Sequence, residues 1–584
     1  MIPSEFHLSH YVRESRKLDV VKYNKNIKVG ILGSFTINGL AETIKVKCKQ
    51  MKVGCSTYVG GYNQYNQEIL NSKSELYQFN PDITFLIIDS KDIFKDFYYF
   101  FYEKTSDERK KFVETKLEEI ISLVKTFIKK SNNKLVITNL PVATYSPLGI
   151  SETKEYGISQ MIMDFNNGLT SMLKNESSAY VFDFMAFTSK FGENNIVKPH
   201  NVFIGDIKIS FDHIPYLAEA LIGYIKPFLS LNRKCIVLDL DNTLWGGIVG
   251  EDGFENIKLS PEPPGNIYVE FQKYLLALHQ RGIILAINSK NNSEEAIKVI
   301  REHPNMILRE EHFASIRINW NNKIQNMKEI AEEINIGLDS MVFLDDDPVN
   351  RDIMKNALPQ ILTVDLPEDS AFFISIIQNM NDFNVLKMTD EDKKRGKMYL
   401  EQKRRNELKS NVTNLEEFLD KLEISVTIKK ADDSLIPRIS QLTLKTNQFN
   451  LTTKRYTEEK IHDLVKDQKV IMGCAQVEDK FGDHGITGVF IIKDTNPREW
   501  FLDTFLLSCR VIGRNVEHGI MSFIISEAKR IGISNILAEF ISTEKNSVIK
   551  DFLKECGFEK KDKYWVYDTS KGFKKPLAIT LNVK

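Results

Sequence analysis

Six cysteines in 584 residues, at positions 48, 55, 235, 474, 509 and 556, leave no pair at C-x-x-C spacing. A structural zinc site of the common kinds is thereby excluded, and a chain of this length has no need of disulfide staples, so a reducing compartment is expected. Long apolar runs are also missing. None approaches the ~20 residues of a membrane span, and the first residues, MIPSEFHLSHYVRESRK, carry no signal-type apolar core; the expectation is a cytoplasmic protein with no membrane partner. There is no excess of charge of either sign: the formal net charge is -1, which gives no polyanion-binding surface overall and no case for nucleic acid. No fixed-period repeat and no low-complexity tract is visible. What remains is ordinary globular composition, 42% hydrophobic and 27% charged. At roughly 100–200 residues per domain it fills several domains.

Three blocks follow from hydrophobic periodicity. In the first, 1–228, short apolar runs (KVGILGSFT, DITFLIID, KLVITNL, AYVFDF) alternate with amphipathic stretches such as DERKKFVETKLEEIISLVKTFIKK. Runs buried on both faces between helices predict a parallel α/β sheet. The second, 233–366, repeats the alternation with CIVLDLD, IILAINSK, SMVFLDDD and ILTVDL, separated by YVEFQKYLLALHQRG and KIQNMKEIAEEINIG. A charged helical linker is expected over 367–423, including MTDEDKKRGKMYLEQKRRNELK. The third block, 424–584, mixes strand hairpins with two or three helices and reads as α+β.

The chemistry concentrates in the second block. Ligands of open parallel sheets bind beyond the carboxyl ends of the strands. There the sequence places Asp239 and Asp241, then Ser289 and Lys290, then Asp345 and Asp346. Like charges about 4 Å apart repel by roughly 4 kcal/mol at an effective dielectric near 20, so converging carboxylates require a cation. An all-oxygen ligand set favours Mg2+. Ser289 can donate to a phosphoryl oxygen and Lys323 can neutralise it, one carboxylate can attack phosphorus, and another, two residues on, can move the proton.

These motifs, DLDNT (Asp239 to Thr243), Ser289, Lys323 and the paired acids Asp345 and Asp346, resemble the haloacid dehalogenase (HAD) superfamily. The resemblance implies Asp239 as nucleophile and metal ligand. It implies Asp241 as general acid/base that lends its backbone carbonyl to the metal, with Asp346 the favoured third ligand and Asp345 behind it, or the reverse. It implies a phosphatase-type Rossmann-like fold with a minimal cap. Asp347 and Asp352 read as surface or helix N-terminal charges, and Cys235 as a buried apolar residue.

LDLDNTLWGGIVGEDG, INSKNN, VFLDDDPVNRD, NQFNLTTKRYT, DKFGDHGITGVF and SCRVIGRNVE together resemble the FkbH-like proteins. That resemblance implies three domains: an SGNH-like first domain, the HAD domain, and a C-terminal acetyltransferase-like (GNAT) domain. It implies phosphate removal from a phosphoglyceryl substrate and delivery of the acyl unit to the phosphopantetheine thiol of an acyl carrier protein. One position departs. Glyceryl-transferring members carry a Cys before the Ser of INSKN, and here it is Asn288, whose amide is no nucleophile. That favours the alternative, a HAD phosphatase fused to an acetyl-CoA-dependent N-acetyltransferase acting on a small molecule such as a sugar intermediate.

In the GNAT-like block, CRVIGRNVEHGIMSFIISEAKR resembles an acyl-CoA loop. The expected acyl-CoA or phosphopantetheine contacts are Arg510, Gly513, Arg514 and Asn515, with Asn546 further on. Asn515 tolerates left-handed torsions, as the loop requires, and His484 is a candidate acid/base. In the SGNH-like block, GSF, YVGGYNQY and TNLP put Ser34, Gly61 and Asn139 at the nucleophile and oxyanion positions. A hydrolase of that type needs Asp and His at DxxH spacing, and SFDHIPYLAEAL instead has Asp212 next to His213. This domain is expected to be non-catalytic, serving docking or substrate placement.

Overall fold

The computed structural model describes residues 7–18, 23–131, 133–388, 401, 404, 405, 408, 412, 414–573 and 578–584. Most of the charged run 388–409 therefore lies outside the described residues. The chain divides into two compact units, Met1–Leu229 and Ser230–Lys584.

The first unit is built on five parallel strands: β1 (Lys25–Gly33), β2 (Val53–Val59), β3 (Ile83–Ile87), β4 (Lys134–Thr138) and β5 (Ala179–Phe182), in the order β2-β1-β3-β4-β5. β3 is buried at every position, as a central strand with helices on both faces must be. The long helix Ser106–Lys130 begins at a capping box, Thr105 with Glu108, which satisfies two orphan donors of its first turn. Its buried side, including Val113, Ile120, Val124 and Phe127, packs into the core with the helix Ile158–Leu173.

The second unit holds two sheets. One is parallel: β6 (Cys235–Leu238), β7 (Ile284–Ser289), β8 (Phe313–Ile318), β9 (Met341–Leu344) and β10 (Leu362–Thr363), in the order β10-β9-β6-β7-β8. The order reverses at β6, so the crevice at its carboxyl end, where β7 and β9 also end, is the switch point where such sheets bind ligands. Side-chain alternation splits this core in two. Ile236 and Leu238 pack with the helix Asn266–Gln280 side, while Cys235 and Val237 pack with Met327, Ile330 and Ala331 of the helix Lys323–Glu333. Cys235 is fully buried, and burial pushes its thiol well above the usual range.

The other sheet is mixed, as an α+β block should be. It contains β11 (Ile424–Lys430), β12 (Phe449–Asn450), β13 (Val470–Asp479), β14 (Gly482–Asn496), β15 (Glu499–Leu507), β16 (Asn535–Ala538), β17 (Glu559–Lys561), β18 (Tyr564–Asp568) and β19 (Ile579–Val583). The hairpins β13–β14 and β14–β15 are antiparallel, and β15 pairs in parallel with β16 across the helix Val516–Arg530. Loops of the two parts of this unit meet where Asn335 donates from Nδ2 to the Cys509 carbonyl at 2.7 Å, and where Lys545 pairs with Asp339 at 3.4 Å. Among the described residues no helix is long and apolar enough to cross a membrane.

Candidate functional site

β6 runs apolar until Leu238 and then delivers Asp239 into the crevice. Asp239, Asp345 and Asp346 each offer a carboxylate oxygen, and these oxygens all lie within 4.8 Å of one another. Lys323, the first residue of its helix, stands among them: its Nζ is 3.1 Å from Asp239 Oδ1 and donates to Asp345 Oδ2 at 2.6 Å. Asp239 Oδ1 nevertheless is a buried oxygen with no hydrogen bond of good geometry. The ammonium pairs with both carboxylates by charge, and its well-formed hydrogen bond goes to Asp345. This orphaned oxygen, in an all-oxygen cluster of three carboxylates, fits a hard divalent cation.

Electrostatics follow from the crowding. Burial first, then the charges of Asp239 and Asp345, push the Asp346 carboxyl up to about 6. Asp345 is raised by burial and by the Asp239 charge against the pull of Lys323. Burial works against the Lys323 charge, but Asp239 and Asp345 outweigh it and the ammonium is held above its ordinary value. Asp345 is fully buried and saturated: its Oδ1 accepts from the Asp347 backbone N–H at 3.0 Å, while Oδ2 holds Lys323. Asp346 is only half-buried, and its Oδ1 has a long 3.4 Å contact from Thr243 Oγ1.

Asp241 is placed beside this cluster by the loop that follows β6. Its Oδ1 accepts from Trp245 Nε1 at 2.8 Å and the Val249 N–H at 3.2 Å, and its Oδ2 accepts from Asn291 Nδ2 at 2.8 Å. Burial outweighs these donors and raises its pKa. Ser289 ends β7, buried, and its carbonyl accepts from the Asn319 N–H. Asp347 is the N-cap of the helix Pro348–Ala357 and Asp352 is exposed on it.

Sequence reasoning passed over Trp245, Asn291 and Arg351. Arg351 Nη1 donates to the Asp345 carbonyl at 2.8 Å and the Asp346 carbonyl at 2.5 Å, fixing the turn that carries both acids. Its signal was available in the i,i+4 spacing from Asp347, which puts it on the helix turn above the acids.

In the C-terminal sheet, Arg510, Gly513 and Asn515 lie on one loop that leads into the helix Val516–Arg530. Gly513 (φ 74) has open space around its Cα, and Asn515 (φ 62) is the left-handed N-cap. Two of the expected contact residues, Arg514 and Asn546, turn their side chains inward. Arg514 is buried, with Nη1 3.2 Å from His484 Nε2 and 3.5 Å from Asp479 Oδ2; its guanidinium serves an internal network, leaving only its backbone for a ligand. Asn546 is fully buried, its Nδ2 donating to the Asn450 and Ile541 carbonyls while Oδ1 accepts from the Thr543 N–H. Its amide ties a loop to β12.

His484 is 2% exposed, with Nε2 3.0 Å from Asp479 Oδ2, and Arg405 grips the same carboxylate with two bonds of 2.6 and 2.8 Å. Burial, with Arg405 and Arg514 adding to it, lowers the imidazole to about 4 against the opposing pull of Asp479. Asp479 is driven the other way from its burial, far below the carboxylate range, by hydrogen bonds from His484 and Arg405. With the imidazole neutral at pH 7, the guanidinium carries that pairing. A histidine depressed in the folded state binds fewer protons there than when unfolded, so stability rises with pH across its window. His484 should therefore contribute stability that is present above its ordinary value of 6.5 and is lost as pH falls toward about 4. The thermal midpoint should drop across that window and drop less in His484→Gln; identical slopes would contradict the assignment. Glu517, in the first turn of the helix Val516–Arg530, was not singled out from sequence; burial pushes it up to about 7.

In the first unit, Ser34 is fully buried and its Oγ donates to Asp92 Oδ2 at 2.7 Å while accepting from the Asp89 N–H at 3.0 Å. Lys208 Nζ sits 3.0 Å from Asp89, 2.9 Å from Asp92 and 3.5 Å from Asp206. His213 Nδ1 lies 2.7 Å from Ser210 Oγ instead. Asn139 donates from Nδ2 to Asp183 and accepts the Met185 N–H, and Gly61 sits in the turn after β2. The serine is thus held by a carboxylate and a lysine network, with the imidazole committed elsewhere.

The parallel sheet and its convergent acids define a phosphatase-type domain of the HAD class, and the chain is an enzyme. Residues 28–226 match the family model described as FkbH, N-terminal domain. Among solved structures the chain is similar to the N-terminal part of protein BF1531 from Bacteroides fragilis, containing a phosphatase domain complexed with Mg, at 28% identity and TM-score 0.60, over 65% of this chain and 99% of that one. The C-terminal part aligns with a spermidine N-acetyltransferase from Vibrio cholerae (14% identity, TM-score 0.21, 25% of this chain, 95% of that one). It also aligns with the ribosomal-protein-S18-alanine N-acetyltransferase from Escherichia coli (11% identity, TM-score 0.20, 26% and 98%). No curated protein matches the chain.

Proposed function

We propose that the chain is a magnesium-dependent phosphohydrolase of the FkbH type, acting through Asp239 on a small phosphoglyceryl-like substrate and passing the acyl unit to the phosphopantetheine thiol of a carrier protein. One observation carries the phosphoryl chemistry: three carboxylates whose oxygens lie within 4.8 Å surround one lysine at a strand-end switch point. Asp239, the Asp241 backbone carbonyl and Asp346 would hold the ion, because Asp345 is already committed to Lys323. When bound, magnesium supplies charge neutralisation for the phosphoryl oxygens. Asp239 attacks the phosphomonoester phosphorus as its bond to the leaving alcohol oxygen breaks, giving an aspartyl-phosphate, while the carrier thiol attacks the acyl-phosphate carbonyl and expels the second phosphate. Asp241, whose pKa is raised, donates the proton to the leaving oxygen, then takes one from the water that cleaves the intermediate. Lys323 and Ser289 bind the phosphoryl oxygens, and Thr243 supports Asp346.

The same reading divides the chain into an SGNH-like domain 1–228, the HAD domain 233–366, a linker 367–423 and a GNAT-like domain 424–584. Ser34 is too deeply buried to attack a substrate, so the first domain docks or places one. The Arg510–Asn515 loop, with backbone N–H groups at a helix start, suits the phosphate of a phosphopantetheine arm or of acetyl-CoA.

A second reading, phosphatase plus acetyl-CoA-dependent N-acetyltransferase, is favoured by Asn288, which offers no thiol to relay an acyl group. Intact-protein mass spectrometry with magnesium and 1,3-bisphosphoglycerate, with and without a holo-carrier protein, separates the two. A glyceryl adduct on the carrier alongside phosphate release is the expected result. Phosphate release with no adduct moves the function to the second reading, and no release in any metal condition overturns both.

A further inference from the structure

We propose that Asn288 is a positioning residue for Lys323, an inference that rests on the phosphatase reading above. Asn288 follows Ile287, which pairs with Leu238, so it stands beside Asp239 across the β6–β7 ladder. It lies on the same sheet face as Ile284 and Ala286, which pack against the Lys323 helix. Its side chain is fully buried and doubly used. Nδ2 donates to the Lys323 carbonyl at 2.9 Å, and Oδ1 accepts from Asn326 Nδ2 at 3.1 Å. Asn326, buried one turn along the same helix, also donates to Asn319 Oδ1 at 3.0 Å, and the Asn319 N–H donates to the Ser289 carbonyl at 3.2 Å. The result is a closed amide circuit linking the end of β7, the loop before the helix and the helix's first turn.

Nothing about helix formation asks for this. Asparagine is a poor interior helix residue, and buried amides are destabilising unless bonded. The circuit does have one geometric consequence. A lysine ammonium rides on four rotatable bonds, so its location depends on where its Cα is fixed. Lys323 must hold Nζ between Asp239 at 3.1 Å and Asp345 at 2.6 Å. Asn322 caps the helix start, and Asn288 anchors the Lys323 carbonyl to the strand that borders Asp239. Lys323 is thereby fixed to the strand next to the one carrying its carboxylate partner.

The test compares wild type with Asn288→Ala, Asn326→Ala and the double variant. It reads phosphate release from p-nitrophenyl phosphate with magnesium as kcat and KM, together with thermal midpoints. In Asn288→Ala, Asn326 keeps its bond to Asn319 and the Lys323 carbonyl keeps its helical bond, so the protein folds. The expected result is a kcat lower by about 10- to 100-fold, as for other residues that orient a site's direct contacts, with KM changed less than about threefold. The double variant should be no worse than the more impaired single, because both belong to one circuit. A lowered midpoint with wild-type kcat would make Asn288 merely structural and overturn the proposal. If wild type itself releases no phosphate, the phosphatase reading falls separately. Crystal structures then decide the positioning: an Nζ–Asp239 separation lengthened beyond hydrogen-bond reach in Asn288→Ala supports it, and an unchanged one overturns it.

Discussion

Asp239→Asn should abolish magnesium-dependent phosphate release, by about four orders of magnitude or more, the scale on which removal of a nucleophile is felt. Asparagine keeps the size and most of the packing of the side chain, at a position only 8% exposed, so the loss is chemical. An amide cannot displace a leaving oxygen from phosphorus. It also takes away one of the three carboxylates that make the cluster a cation site. The second effect has its own readout. A ligand that binds only the folded state stabilises it by mass action, so magnesium should raise the thermal midpoint of the wild type and raise that of Asp239→Asn less. Variant protein that released phosphate at the wild-type rate would remove Asp239 from the centre of the reaction and move the search to the C-terminal sheet.

The parts of this site that were legible in the sequence are those where local pattern and chemistry coincide. CIVL running into DLD can only be a buried strand that ends in charge, and SMVFLDDD repeats the device. Burial at every position of β6, β7 and β9 is the structural counterpart of those apolar runs. β8 was not anticipated: FASIRI alternates apolar with Ser and Arg because it is an edge strand, and Arg317 pairs with Glu329 and Glu333 across the surface. β2, VGCSTYV with one buried position, escaped for the same reason. Long-range polar closure was also invisible. No window of sequence reports that Arg405 would find Asp479, that Lys208 would gather Asp89, Asp92 and Asp206, or that Asn546 would bond inward. Those pairings are set by how elements pack, and asparagine at a loop position looks alike whether its amide faces a ligand or a carbonyl. Asn288 is the instructive case. The sequence shows that it is no nucleophile, and only the structure shows where its two bonds go.

Lys323→Met should cost about 3–5 kcal/mol of stability, because removing one partner of a buried ion pair leaves the other charge uncompensated. The side chain of Lys323 is 6% exposed and that of Asp345 is 0%, and methionine replaces the apolar stem, so packing is largely kept and charge is what is lost. The sign of the pH dependence follows. Asp345 and Asp346 already have raised pKa values from burial and from Asp239, with Lys323 opposing; without the ammonium they rise further. A carboxyl whose folded pKa lies above its unfolded one binds more protons in the folded state, so the stability it permits is greatest at low pH and is lost as pH rises through the folded value. The variant's deficit in urea midpoint should therefore be small near about pH 5 and large near about pH 8, and magnesium should restore part of it by supplying the missing positive charge. Phosphate release should fall as well, since the ammonium that stabilises the transferring group is gone. A deficit of equal size at both pH values would mean that packing rather than charge was removed. A stable and active Lys323→Met protein would mean that the three carboxylates do not share the lysine at all, and with that the argument from Asp239 to a cation would lose its electrostatic basis.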